Sequence, residues 1–167
     1  MEGREAQFGT LDPGLLADPL AFLAAEHARQ RALLGHLERL AGNRTGSRVA
    51  IAGALAAWLA WELPLHLRDE EESLYPRIGA AACSALPILS EENRMTAALR
   101  VQLRADLAQI AAGHRPSDRF AAAVSDFVAG YRRHLALEEL EVMPTAGRTL
   151  SSGDREVIRR EMVARRA

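Results

Sequence analysis

The chain has 167 residues, 49% of them hydrophobic and 26% charged, with a formal net charge of -1. It is long enough for one globular domain, and it has no basic excess that would indicate a nucleic-acid partner. Its one cysteine, Cys83, excludes a disulfide within the chain. The longest apolar stretch, Val49 to Leu65, is interrupted by Glu62 and Pro64 and is shorter than the roughly 20 residues of a membrane-spanning helix. The N-terminus also lacks the pattern of a signal peptide, so we expect a soluble, cytoplasmic protein with no membrane partner.

The predicted elements are all helices, because good helix formers dominate and no useful stretch alternates with period two. Residues 1–17 are expected to form an N-terminal arm. Asp18 and Pro19 have the residue types preferred at the N-cap and the first position of a helix. The helices predicted from such start and stop signals cover residues 18–41, 47–78, 85–113, 117–147 and 154–166.

Short connections between long helices predict the arrangement of the chain. We expect an all-α fold, an antiparallel up-down four-helix bundle over residues 18–147, with a short fifth helix in the C-terminal segment 151–167. Pro64 is expected to kink the second helix. Trp58 and Trp61 are expected to line the core.

An eleven-residue pattern occurs twice, at residues 66–76 and 134–144. Each copy begins with His and has Glu at the fourth and fifth following positions and Pro at the tenth. Positions i and i+4 lie one above the other on a helix, so each copy presents an imidazole and a carboxylate together. One such pair is common as a surface ion pair, whereas two facing copies indicate a site for one or two metal ions.

The repeat also extends to the first and third helices, where Glu26-His27 aligns with Glu92-Asn93. Two duplicated helix hairpins would be related by a pseudo-twofold axis, with equivalent residues converging at the centre. The inward-facing set predicted by this symmetry is His27, His66, Glu70, Asn93, His134 and Glu138. Imidazole and carboxylate ligands together favour iron, manganese or zinc.

Three neighbouring side chains have predicted roles around this set. Glu71 and Glu139 lie about 100° further round their helices, where they would orient the ligands or face solvent. Tyr131 would either donate a hydrogen bond into the site or pack in the core.

These residues resemble the hemerythrin-like (HHE cation-binding) family. The resemblance is carried by residues 23–27, 62–76 and 134–139 and covers residues 18–147. It implies an up-down four-helix bundle that holds a non-haem di-iron centre. It also implies a set of terminal histidine ligands and bridging carboxylates, which would be His27, His66, His134, Glu70 and Glu138.

The sequence departs from the family pattern at Asn93, where the third helix should supply a histidine. An amide oxygen is a weaker ligand for Fe²⁺ than imidazole, and Glu92 is offset by about 100°. Three outcomes follow: a di-iron centre with an open position, a mononuclear iron, manganese or zinc site, or an empty site.

The resemblance implies that the protein binds or senses O₂, NO or a peroxide as its small-molecule partner. One alternative is an enzyme that consumes peroxide or NO at the same site. Another is a metal-free helical interaction protein. In that case the arginine-rich fifth helix, with Arg155 and Arg159 one turn apart, would dock a protein partner.

Overall fold

The computed structural model describes residues 8–43 and 47–167, and every regular element within those ranges is helical. A short 3₁₀ helix, Pro13–Ala17, precedes the bundle. The helices are α1 (Pro19–Ala41), α2 (Arg48–Ile78), α3 (Ala85–Met95), α4 (Ala97–Ala111), α5 (Phe120–Leu137, continued by Glu138–Val142 and Met143–Thr149) and α6 (Ser152–Arg166). Helix α2 packs against α4, and α1 packs against α5. The prediction of an all-α bundle is confirmed; the division into arm, bundle and C-terminal segment stays a prediction, and residues 1–7 of the arm lie outside the described ranges.

Helix ends follow the predicted capping chemistry at several positions. The Asp18 carboxylate accepts hydrogen bonds from the backbone N–H groups of the first turn of α1. Ser151 and Asp154 form a reciprocal capping box at the start of α6. Gly79 and Gly113, which follow α2 and α4, have φ values of 79° and 81° and turn the chain through the left-handed region.

The predicted third and fourth helices differ from the observed ones. The third is divided at Thr96, whose hydroxyl donates to the Glu92 carbonyl over 2.9 Å and competes with regular helix geometry. The fourth begins at Phe120 rather than at Ser117, and the Ser117 N–H and hydroxyl donate to the Asp106 carboxylate. The capping signals in the sequence specify neither difference.

The two longest helices contain π-helical turns. These turns are Trp58–Glu62, Asp69–Leu74 and Glu138–Val142, and each is followed two residues later by Pro64, Pro76 or Pro144. Proline lacks an N–H and clashes with the carbonyl of the preceding turn, and the wider π turn gives it room. The repeated proline therefore marks a repeated π turn, and a π turn occurs where we predicted a kink at Pro64.

The π turn also explains why the prediction for Trp61 is wrong. Trp58 is 1% exposed and lies in the core, whereas Trp61 is 73% exposed. On a regular helix the two rings would share a face, but the widened turn at Trp58–Glu62 rotates Trp61 outward.

Two hydrophobic clusters enclose a layer of buried polar side chains. One cluster includes Leu33, Leu55 and Phe127, and the other includes Leu23 and Leu89. The layer lies on the segments of α1, α2, α3 and α5 between these clusters, and every ligand candidate belongs to it. The apolar clusters on both sides exclude water from it.

Helix α2 is long and apolar enough, by length and composition alone, to cross a membrane. It nevertheless carries His66 and Glu70 into the buried polar layer and packs along α4. Core helices of globular proteins pass the same test. The expected absence of a membrane partner stays a prediction.

Candidate metal centre

All six predicted site residues lie in the polar layer and are no more than 5% exposed. Helix α1 supplies His27, α2 supplies His66 and Glu70, α3 supplies Asn93, and α5 supplies His134 and Glu138. Both carboxylates stand in π turns, a feature frequent at functional sites. Four helices thus bring the set together, although the members do not contribute equally.

Four side chains form a tight cluster, with one ligand atom from each lying within 4.8 Å of the others. They are His27, His66, Glu70 and Glu138. Glu70 Oε1 is 3.1 Å from the Nε2 atoms of both His27 and His66, and Glu138 Oε2 is 3.4 Å from Nε2 of His27. Ligands with metal bonds of about 2.0–2.2 Å lie roughly 3–4 Å from one another, so the cluster has the dimensions of a cation site.

Several polar atoms in this layer have no hydrogen-bond partner within the described ranges. They are His27 Nδ1, His66 Nε2, Glu70 Oε2, His134 Nε2 and Glu138 Oε2. A buried polar atom without a partner is costly, and buried polar groups in folded proteins are normally satisfied. A cation among the carboxylate oxygens and the Nε2 atoms of the imidazoles would supply the interactions missing at every one of these atoms except His27 Nδ1, so the donor set fits a metal ion.

The two carboxylates have opposite pKa shifts. Burial opposes ionisation of Glu70, but His66 and His27 outweigh it and lower the pKa of Glu70 below its usual value. Burial and the nearby Glu70 charge raise the pKa of Glu138. When two acids share a confined site, the pKa values of the two carboxyl groups are expected to move apart in this way.

The imidazoles of His66 and His134 are more basic than usual. Burial lowers the pKa of His66, but Glu70 and Glu26 outweigh this and leave it well above its usual value. Burial also lowers the pKa of His134, but Glu138, Glu70 and Glu92 together outweigh it and raise the pKa above its usual value. A cation would therefore displace protons from these groups on binding.

Two further glutamates hold the imidazole rings. The His66 Nδ1 atom is 2.8 Å from Glu26 Oε2, and the His134 Nδ1 atom is 2.9 Å from Glu92 Oε2. A proton on Nδ1 that is donated to the carboxylate leaves Nε2 facing the cluster, a common arrangement around metal-binding histidines. Sequence alignment paired Glu26 with Glu92 but missed this shared role.

The site has two halves, the first formed by His27, His66 and Glu70 and the second by Asn93, His134 and Glu138. Among the described residues, the second half has one ligand fewer. The Asn93 amide donates to Glu71 Oε1 over 2.8 Å, so its NH₂ group is committed to an acid outside the cluster. His134 Nε2 remains 3.3 Å from Glu138 Oε1. Among the six predicted residues, Asn93 therefore lies in the layer with its NH₂ group held by Glu71 rather than by another candidate ligand.

Sequence reasoning missed Tyr75, whose hydroxyl donates to Glu138 Oε1 over 2.5 Å. Burial, followed by Glu70 and Glu138, raises the pKa of this phenol, so it holds its proton. The equivalent position in the second copy is Met143. Tyr75 was missed because the repeat pointed only to side chains that occur in both copies.

Tyr131 packs beside the second half. Its ring stacks on His134, with centroids 5.4 Å apart, and its hydroxyl donates to Gln30 Oε1 over 2.8 Å rather than to a ligand. A surface cleft of about 150 Å³ adjoins Asn93, Tyr131 and His134, and its outer wall includes Met95. A cleft therefore adjoins the half with the missing histidine.

The sequence comparisons agree with this geometry. A family model described as "Hemerythrin HHE cation binding domain" matches residues 18–146. No curated protein matches the chain. The match contains every residue of the cluster and ends before α6 begins.

Proposed function

This chain belongs to the hemerythrin HHE cation-binding family, and on that premise we propose that it is a non-haem iron protein that binds or senses O₂, NO or a peroxide. The single observation that carries the proposal is the buried cluster of His27, His66, Glu70 and Glu138, with its unsatisfied nitrogen and oxygen atoms. This cluster, together with the family match, supports a metal-binding hemerythrin-like protein.

The chemistry of the donor atoms supports iron, although manganese and zinc use similar ligands. His27, His66, Glu70 and Glu138 would hold the first ion. His134 and Glu138 would hold a second, with Glu138 shared between the two. When bound, iron supplies the redox and Lewis-acid chemistry that amino-acid side chains lack.

The protein's own residues set the environment for that chemistry. Glu26 and Glu92 fix the orientation of His66 and His134, which maintains the geometry of the ligands. The two apolar clusters exclude water. Tyr75 holds a proton at Glu138 Oε1, where it can donate a hydrogen bond to a carboxylate or to a small ligand nearby.

The structure around Asn93 supports the proposal that the protein binds a small ligand. The cleft beside Asn93 and His134 adjoins the half that has fewer protein ligands. The same observation favours a second candidate, an enzyme that consumes peroxide or NO. A reactive small molecule could approach there without displacing a histidine.

Metal analysis followed by rapid mixing tests the proposal. Protein produced with iron, manganese and zinc supplements is expected to retain iron at one equivalent or more, and His66→Ala is expected to lose it. His114→Ala, which removes an exposed histidine, is the matched control. Absence of all three metals from the wild-type protein would contradict the proposal.

Anaerobic Fe²⁺ protein would then be mixed with O₂, NO and H₂O₂ separately. One spectral change per site without repeated consumption is expected of a binding or sensing protein. Catalytic consumption of peroxide or NO would favour the enzyme. No spectral response to any of the three would exclude both candidates.

A further inference from the structure

Helix α6 lies beyond the matched family region, yet two of its arginines reach the segment that carries Glu70. Arg165 Nη1 donates to Asp69 Oδ1 over 2.9 Å, and Arg166 Nη2 donates to Asp69 Oδ2 over 2.6 Å. Asp69 is fully buried and immediately precedes Glu70. A buried carboxylate is costly unless it is paired, so both guanidinium groups are needed to keep this acid inside the protein.

The same arginines contact two other parts of the first half of the site. Arg165 donates to the Ser73 hydroxyl over 2.7 Å, which places it on both ends of the π turn Asp69–Leu74. Arg166 lies 3.7 Å from Glu26, the acid that holds His66. The two guanidinium groups therefore contact the π turn that carries Glu70 and the acid that is hydrogen-bonded to His66.

Helix α6 is firmly attached at this position. Ile158 and Met162 are fully buried in the core, and the capping box fixes the first turn of the helix. The Arg166 guanidinium also lies 5.0 Å above the Phe22 ring. The arginines are thus presented from a packed helix rather than from a loose terminus.

The second half of the site has no such support. The position equivalent to Asp69 is Leu137, and the acid next to Glu138 is Glu139. Glu139 pairs with Arg31 at the surface, where both side chains are well exposed. Such exposed pairs contribute little.

We propose that Arg165 and Arg166 are positioning residues of the metal centre, which fix His66 and Glu70 for the tighter of two cation sites. This inference rests on the proposed function and deepens it. It gives helix α6, which lies outside the family match, a role in cation binding.

The test compares the double variant Arg165→Gln/Arg166→Gln with two controls on α6. Ile158→Val trims a fully buried side chain that docks α6 on the core, away from Asp69 and Ser73. Arg160→Gln changes a 65% exposed arginine. Fe²⁺ affinity would be measured anaerobically by competition with a chromogenic chelator, and the thermal unfolding of each metal-free variant would be recorded.

The double variant is expected to bind the tighter Fe²⁺ ion roughly 10–100-fold more weakly, the range seen when outer contacts of metal ligands are lost. Both controls should keep affinities close to that of the wild type, even where Ile158→Val lowers the unfolding temperature. Wild-type affinity in the double variant would overturn the inference, as would an equal loss in Ile158→Val, because that loss would reflect only helix docking.

If the double variant does not fold, Arg166→Lys replaces it, since lysine keeps the charge but loses the planar fork. If Arg166→Lys unfolds at the normal temperature but binds the tighter Fe²⁺ ion more weakly, the positioning role is supported. Wild-type affinity in this variant overturns it. A wild-type protein that binds no Fe²⁺ overturns both the inference and the proposed function. A wild-type protein that binds Fe²⁺ with the same affinity as the variants overturns the inference alone.

Discussion

The two halves of the polar layer carry the same sequence pattern but differ in how completely they can hold a cation. The first half has two imidazoles, His27 and His66. Its Glu70 follows the buried Asp69, which accepts hydrogen bonds from two arginines of α6. In the second half Asn93 bonds to Glu71, and the Nε2 atom of His134 lies 3.3 Å from Glu138 Oε1. A repeated motif therefore predicts where a site lies, whereas the side chains around each copy decide how strongly it binds.

The largest expected change in Fe²⁺ binding comes from removing one histidine from each half in turn. His66→Ala removes a ligand from the complete half and should abolish tight Fe²⁺ binding, because the remaining imidazole and carboxylates no longer enclose the ion. His134→Ala should retain one tightly bound ion. Metal content after dialysis would show the difference, and equal losses in the two variants would contradict the inequality of the halves.

Proton competition should weaken cation binding by the imidazoles of both halves. The pKa of His66 is raised well above its usual value, because Glu70 and Glu26 outweigh the effect of burial, and the pKa of His134 is raised as well. Imidazolium thus persists above pH 6.5, so affinity for the tight ion should fall as the pH is lowered through the neutral range. The slope should approach about tenfold per pH unit for each proton displaced, and flatten above the folded-state pKa.

Titrations of Fe²⁺ at a series of pH values, with buffer proton uptake recorded, would measure this dependence. Release of protons on binding is expected. An affinity that does not change between mildly acidic and mildly alkaline pH would show that the imidazoles are already neutral in the metal-free protein.

Asn93→His should reduce the difference between the halves. The new imidazole would complete the second half, and the affinity for the second ion should rise by about tenfold or more. The iron content should move towards two per chain. Unchanged stoichiometry would mean that position 93 cannot reach the ion, and Asn93→Ala serves as the control for loss of the Glu71 hydrogen bond.

A smaller effect is expected from the acids that hold the imidazoles. Glu26 is 15% exposed and Glu92 is 41% exposed, so solvent screens the second hydrogen bond more strongly. Glu26→Gln should lower the affinity for the tightly bound ion by roughly tenfold. Glu92→Gln should lower the affinity for the second ion by less. A larger effect of Glu92→Gln would reverse the proposed ranking of the two halves.

Local chemistry in the sequence predicted much of the fold. The Asp18-Pro19 pair set the start of the first helix, and the duplicated His and Glu positions identified the polar layer. The π turns, the break at Thr96 and the outward rotation of Trp61 were not predictable in this way. They depend on backbone hydrogen bonds that change the helical period on which the predictions relied.

Residues of the site that are not repeated were also missed. Tyr75 has Met143 as its counterpart, and Asp69 has Leu137, so a search for duplicated pairs passes over both. The contacts of Arg165 and Arg166 with Asp69 were not predicted either, and a protein partner for the arginine-rich helix stays a prediction. Long-range contacts of this kind follow from tertiary packing and leave no local signal.

The central claim is that the two halves bind cations unequally, and anaerobic titration of the metal-free wild-type protein with Fe²⁺ tests it most directly. The account predicts one tightly bound ion per chain, followed by a second ion that binds at least about tenfold more weakly. Two ions of equal affinity, or no binding at all, would contradict it.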